Sequence, residues 1–299
     1  MIGVVGEVWN ELSVRTRRAG GPVAREVREV TPPFPHGRRR VVLLVHGYNS
    51  TEDAARASYK EFTEDLKKIG RGAAALLADL GKVYWPGDAD LGPVSFLSYP
   101  FEMGPAKDSA AVLARYLPTL VGPGGTPTEI YLVAHSLGNR VILELLDRLA
   151  AAPSASARFA GTCLMAAAVQ VDMVEPGRRL WPGAVLSRKT LTLYSRDDNV
   201  LRWAFPLGQT AAGEGFFPTA VGRFGQPAGL WTERRQLSGN GHGDYWKDAR
   251  SAALVARFLG VAVPMEIQAS TIARRPLPDA PPALTTVLAG RSLQARELL

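Results

Sequence analysis

An α/β protein with a mainly parallel sheet and helices on both faces is what the sequence predicts, on three observations. From residue 41 onward, short apolar runs alternate with longer helical patterns. Several of the runs are apolar at consecutive positions rather than at every second one, which suits strands covered on both sides. Each helical pattern follows a strand, as successive βαβ units require.

The strands are expected at RVVLLVHG (40–47), KVYW (82–85), EIYLVAH (129–135), GTCLMAAAV (161–169), KTLTLYS (189–195) and RRQLSG (234–239). A helix over 50–69 follows the first, with Ser50 or Thr51 as N-cap, acids in its first turn, and apolar Ala55, Tyr59, Phe62, Leu66 and Ile69 along one face. Further helices are expected over 106–120, where Pro118 disturbs the last turn, over 137–151 and over 244–259. Residues 202–233 hold six glycines, three prolines and several aromatics, so they read as a long excursion bordering a substrate site rather than as a helix. The expected organisation is a basic segment over 1–39 with room for the first strand or strands, a catalytic domain over 40–263, and a proline-rich tail over 264–299 with a short helix.

Composition excludes several classes. At 299 residues with 46% hydrophobic and 21% charged side chains, the chain is ordinary globular material for one or two domains. No run of 18 apolar residues and no secretory leader pattern is visible, so a soluble, cytoplasmic protein without a transmembrane segment is expected. Cys163, the single cysteine, rules out an intrachain disulfide framework and reads as buried filler. Residues 1–40 carry eight basic and four acidic groups, and this segment accounts for more than half of the net +7. With few aromatics between Arg15, Arg17, Arg18 and the run Arg38 to Arg40, the reading is a solvated surface; a polyanion contact through that arm is the rival. No nucleic-acid partner is expected.

The chemistry is concentrated where EIYLVAH gives way to LGNRVILELL, at Ala134-His135-Ser136-Leu137-Gly138. A serine on such a strand-to-helix turn projects its hydroxyl above the sheet edge, and small residues two before and two after let the two elements approach. Ala134 stands where the usual pattern has glycine. A serine hydroxyl needs an imidazole to take its proton, and that imidazole needs a carboxylate to fix its tautomer. Of the four histidines only His242, in the loop GNGHGDYW, follows the last strand; His46 is expected to hold its own loop, and His135 to point away from the serine. Asp197 and Asp198 both follow KTLTLYS, and Asp198 is preferred because Val200 is expected to anchor the loop beneath it. Oxyanion donors are expected at the N–H of Leu137, at a helix start, and the N–H of Tyr48, after Gly47. Trp203, Phe216, Phe217 and Trp231 are candidates for an apolar acyl pocket, with core packing as the alternative. No metal or cofactor is called for.

With these residues together, the chain resembles the α/β-hydrolase superfamily, and most closely its bacterial esterase/lipase-like members of unknown function. The likeness runs over 40–260 and rests on LVHGYNSTEDA, KVYWPGD, YLVAHSLGNRV, AAAVQVD and LYSRDDNVL followed by His242. It implies the α/β-hydrolase fold, with Ser136 as nucleophile, Asp198 as acid, His242 as base, and Tyr48 and Leu137 as oxyanion donors. Trp85-Pro86-Gly87-Asp88 departs from the family's usual W-P-S, and the 170–188 segment is too short for a large helical lid. The expectation is a serine hydrolase acting on a small-molecule carboxylic ester, thioester or amide. Its rival is a protein that keeps the fold as a binding or scaffold module without turnover.

Overall fold

The computed structural model describes residues 10–16, 21–30, 37–70, 72–88 and 103–264. They form one open eight-stranded sheet of strands β1 (Asn10–Arg15), β2 (Val23–Glu29), β3 (Arg40–Val45), β4 (Leu80–Tyr84), β5 (Thr128–His135), β6 (Ala157–Met165), β7 (Thr190–Tyr194) and β8 (Glu233–Gln236). Their order is β2-β1-β4-β3-β5-β6-β7-β8, and every neighbouring pair is parallel except β1 with β2. Two strands from the basic N-terminal segment thus join the same sheet as the rest. The expected tail helix lies outside the described residues.

The central strands explain themselves. Val41 to Val45 of β3 and Ile130 to Ala134 of β5 are all buried, because helices cover both faces. The two edges are written differently: β2 reads VAREVRE and β8 reads ERRQ, and charged side chains on short edge strands discourage pairing with another molecule. That composition also hides them from a search for apolar runs. The expected strand over 161–169 begins earlier, at Ala157, and ends at Met165, since Ala166 turns to a φ of 44° and leaves the sheet.

Helix α1 (Glu52–Lys68) is capped by Thr51, whose Oγ1 accepts from the Ala54 N–H at 3.2 Å, with Glu52 and Asp53 at its positive end and Lys67 and Lys68 at its negative one. Its buried face is Ala55, Tyr59, Phe62, Thr63 and Leu66. The short α2 (Gly72–Ala78), α3 (Met103–Tyr116), α4 (Gly138–Ala151), α5 (Trp181–Leu186), α6 (Phe205–Ala211), α7 (Val221–Phe224) and α8 (Ala249–Phe258) complete the set. Pro118 sits in a separate 3₁₀ turn after α3. The excursion expected over 202–233 is a correction: a π-helical turn over 200–204 runs straight into α6, because Pro206 lies in the first turn, where it removes no helical hydrogen bond. Helix α1 packs on α8, and α3 and α5 pack on α4. Chain direction reverses at β3, from which the chain moves out to β4 and then back past β3 to β5; right-handed crossovers therefore set α1 and α4 on opposite faces. This reversal between β3 and β5 makes a crevice at the carboxyl ends of those two strands, where open α/β sheets bind ligands.

Candidate active site

The register brings the strand ends level at that crevice. Val45 pairs with Ala134, His135 with Met165, Met165 with Leu193, and Tyr194 with Gln236. The loops carrying Tyr48, Ser136, Asp198 and His242 all leave from this one edge.

Ser136 has a φ of 52°, a left-handed conformation that costs a residue with a side chain on the order of 1 kcal/mol and persists only where its surroundings impose it. They do so through backbone bonds: its N–H donates to Met165 O at 3.0 Å, and its carbonyl accepts from Asn139 Nδ2 at 2.9 Å and from the Ala168 N–H at 3.2 Å. Asn139 also donates to Met165 O at 2.9 Å, so one buried amide holds the turn to β6. The close approach depends on Gly47 and Gly138. A β carbon at 138 would lie 2.3 Å from His46 O, and one at 47 would lie 2.8 Å from the Ser136 β carbon. Ala134 is tolerated in place of the usual glycine because it sits inside β5, fully buried, and takes no part in that contact.

Ser136 Oγ lies 2.7 Å from His242 Nε2, and His242 Nδ1 lies 2.8 Å from Asp198 Oδ2. Asp198 is completely buried, and its other oxygen accepts from the Leu201 N–H at 2.9 Å. With Nδ1–H donating to the carboxylate, Nε2 is left as the acceptor facing the serine hydroxyl. The structure thus brings Asp198 to the imidazole. Asp197 is exposed and accepts instead from the Gly239 N–H at 2.7 Å, tying the β7 loop to the loop that carries His242. Val200 does not anchor Asp198 as expected: it is exposed, and the buried anchor is Leu201.

The remaining histidines hold loops. His46 stacks on Trp85 with ring centroids 5.7 Å apart, donates from Nδ1 to Gly47 O at 2.9 Å, and accepts from the Trp85 N–H at 3.2 Å. Burial lowers its pKa to about 4, which keeps it neutral. Sequence reasoning missed the part played by His135. Its Nε2–H donates to the backbone carbonyl of His242 at 2.7 Å, its Nδ1 faces Gly47, and its ring packs 5.1 Å from that of His242. Burial, and then the neighbouring imidazole, lower its pKa to about 3. The only signal was its position beside the serine, which alone does not reveal what stands across the crevice.

Leu137 follows the serine at the start of α4, fully buried, and its N–H makes no hydrogen bond among the described residues. Tyr48 follows Gly47, where a β carbon would collide with Ser136, on the other side of the crevice. Of the aromatic candidates, Trp203, Phe216 and Phe217 are exposed, the last two with rings 5.0 Å apart, on the segment that follows the Asp198 loop. Trp231 packs in the core, the alternative to lining an acyl pocket: it is buried in one cluster with Leu143, Leu164 and Leu180, and its indole N–H donates to Gln226 O at 3.2 Å.

The fold and this edge define an α/β hydrolase. The family model described as "Alpha/beta hydrolase of unknown function (DUF900)" matches residues 34–213, and the chain belongs to that family. A comparison with curated proteins finds no match. Among solved structures, the chain is similar to the product of gene lin2722 of Listeria innocua, at 12% identity and a TM-score of 0.44 over 74% of this chain and 94% of that one. An esterase of Pyrobaculum calidifontis matches at 12% identity and 0.41 over 77% and 80%. An extracellular α/β-hydrolase of a Paenibacillus species matches at 13% and 0.38 over 73% and 98%. The family model, not these neighbours, carries the assignment. Among the described residues no helix is long and apolar enough to cross a membrane.

Proposed function

We propose that the chain is a serine hydrolase that cleaves carboxylic esters of small molecules through an acyl-enzyme on Ser136. The observation that carries this is the pair of bonds at 2.7 and 2.8 Å linking Ser136, His242 and Asp198 in series on a strained turn. His242 Nε2 takes the hydroxyl proton as Oγ attacks the carbonyl, and the buried Asp198 stabilises the imidazolium that forms. The N–H groups of Leu137 and Tyr48 receive the developing oxyanion, each worth roughly 10²- to 10³-fold in rate. His242 then protonates the leaving alkoxide and activates the water that clears the acyl group. Trp203, Phe216 and Phe217 supply apolar surface for the acyl or alcohol part. The single buried thiol of Cys163 asks for no oxidising compartment, in keeping with a cytoplasmic enzyme.

A fluorophosphonate probe tests the reading. Labelling of folded wild type that disappears in Ser136→Ala supports it; absence of labelling in the folded wild-type chain overturns it in favour of a binding module. Turnover of p-nitrophenyl esters is expected to fall by on the order of 10⁶ in Ser136→Ala or His242→Ala, because the groups act as a unit.

A further inference from the structure

Beside the acid limb of the triad lies a cluster of three arginines. Arg196 leaves the end of β7, Arg202 rides the turn over 200–204, and Arg223 belongs to α7. The guanidinium carbons of Arg196 and Arg223 lie 5.7 and 4.7 Å from the centroid of the Phe224 ring, so one aromatic side chain carries both cations. Arg234 supports this arrangement from β8, donating to Phe224 O at 2.9 Å. Arg202 stacks on Trp203 at 4.9 Å.

Among the described residues, none of these arginines has a carboxylate within ion-pair distance, whereas Arg15, Arg40, Arg56, Arg140 and Arg179 each have one. The two nearby acids are committed elsewhere, Asp197 to the Gly239 N–H and Asp198 to His242 and the Leu201 N–H. Arg196 and Arg223 are partly buried, and the Nε of each is shielded from solvent without a hydrogen-bond partner. Burial and then the charge of Arg202 hold Arg223 below its ordinary pKa, as crowding of like charges requires. A half-buried cationic group with idle donors is unfavourable unless something anionic completes it.

The cluster is at the reactive edge. Gly222 packs so closely on Ala166 and Ala167 that a β carbon there would meet the Ala166 carbonyl carbon at 2.3 Å and the Ala167 backbone nitrogen at 2.2 Å. The next residue, Ala168, donates its N–H to Ser136 O at 3.2 Å. Arg223 also interacts electrostatically with Asp198. Guanidinium groups present paired N–H donors in a fork that matches the oxygens of a carboxylate or phosphate.

We propose that Arg196, Arg202 and Arg223 form an oxyanion-recognition subsite beside the triad, selecting esters that carry a carboxylate or phosphate group away from the scissile bond. This deepens the hydrolase reading and rests on it for the word ester, but the anion site itself can be read separately. Glutarate and inorganic phosphate are titrated calorimetrically into the full chain, as wild type, as Arg196→Gln/Arg223→Gln and as Arg196→Lys/Arg223→Lys. Wild type is expected to bind at least one of the two more tightly at low salt than at high, and the tighter one tells carboxylate from phosphate. Affinity is expected to drop about 10-fold or more in the Gln pair, the loss of a charge-assisted hydrogen bond. The Lys pair, keeping the charge without the fork, is expected to fall between, which separates the effect from misfolding. In parallel, p-nitrophenyl pentanoate is compared with mono-p-nitrophenyl glutarate; the anionic ester is expected to show the lower KM, and the ratio of the two KM values is expected to fall toward one in the Gln pair. The subsite is overturned if neither anion binds, if the Gln pair binds as wild type does, or if wild type turns the anionic ester over no better than the neutral one while hydrolysing both. Anion binding that weakens in the Gln pair, in a chain that hydrolyses neither ester and takes no fluorophosphonate, keeps the subsite and sinks the hydrolase.

Discussion

Asp197 and Asp198 are adjacent in the chain and chemically identical, yet their surroundings assign them different work. Asp198 is buried and receives two donors, the His242 Nδ1–H and the Leu201 N–H; Asp197 is exposed and fastens one loop to another through Gly239. Asp198→Asn removes the charge that orients and stabilises the imidazole, so kcat on p-nitrophenyl esters is expected to fall about 10⁴-fold. Asp197→Asn keeps an acceptor for the Gly239 N–H and is expected to cost less than about 10-fold, a loop adjustment rather than a lost charge. The two single variants, assayed side by side, check the assignment, and an inversion of the two results overturns it. Nothing in the dipeptide Asp-Asp distinguishes its members; the anchor that does so, Leu201, differs from the one the sequence suggested.

Helix α4 begins immediately after the serine, so whatever steadies the helix steadies the turn. Arg140 lies in its first turn, its side chain 1% exposed, with Nε 2.8 Å from Glu144 Oε1 and Nη1 3.2 Å from Glu214 Oε2. Glu214 also receives Lys107 of α3, and just beyond Gly215 come the exposed Phe216 and Phe217. A buried cation thus joins the helix of the nucleophile to the segment bearing the aromatic pair. Arg140→Ala leaves Glu144 buried with only the half-exposed Arg179 for company, and a loss of roughly 3 kcal/mol in unfolding free energy is expected. Urea denaturation monitored by tryptophan fluorescence measures it; a change below about 1 kcal/mol would mean the network is bypassed by solvent, as surface pairs are. Nothing in the sequence around Arg140 singles it out, because the partner at 214 is supplied by a segment far along the chain.

For the molecule as a whole, two neutral histidines tie stability to pH. Burial holds the pKa of His46 down to about 4 and that of His135 to about 3 in the folded chain, against 6.5 for an ordinary imidazole. Their pKa values are lowered, so below pH 6.5 the unfolded chain binds protons that the folded chain refuses. Their contribution is therefore complete above that value and is lost as pH falls toward 4 and then 3, at about 1.4 kcal/mol per pH unit for each histidine. Denaturant midpoints measured from pH 7 to pH 5 are expected to fall steadily. In His135→Gln, which keeps a donor for the His242 carbonyl but does not titrate, the slope is expected to lose about one proton; an unchanged slope would show that His135 is protonated in the folded state.

By itself, the sequence determined the periodicities: which runs are apolar enough to be central strands, where α1 and α4 begin and end, and that a serine on a strand-to-helix turn precedes an acid pair and a histidine in chain order. These are local properties, written in side chains a few residues apart. It did not give the charged edges β2 and β8, whose pattern serves solvent rather than core, nor the helix running on through Pro206. Only the tertiary structure decided which aspartate meets the imidazole, that His135 holds His242 from across the crevice, that Trp231 is buried in the core, and that three arginines gather with no carboxylate of the described residues within ion-pair distance. The reason is the parallel register, which levels strand ends far apart in sequence; distance across that edge is set by the pairing of strands, and no local pattern encodes it.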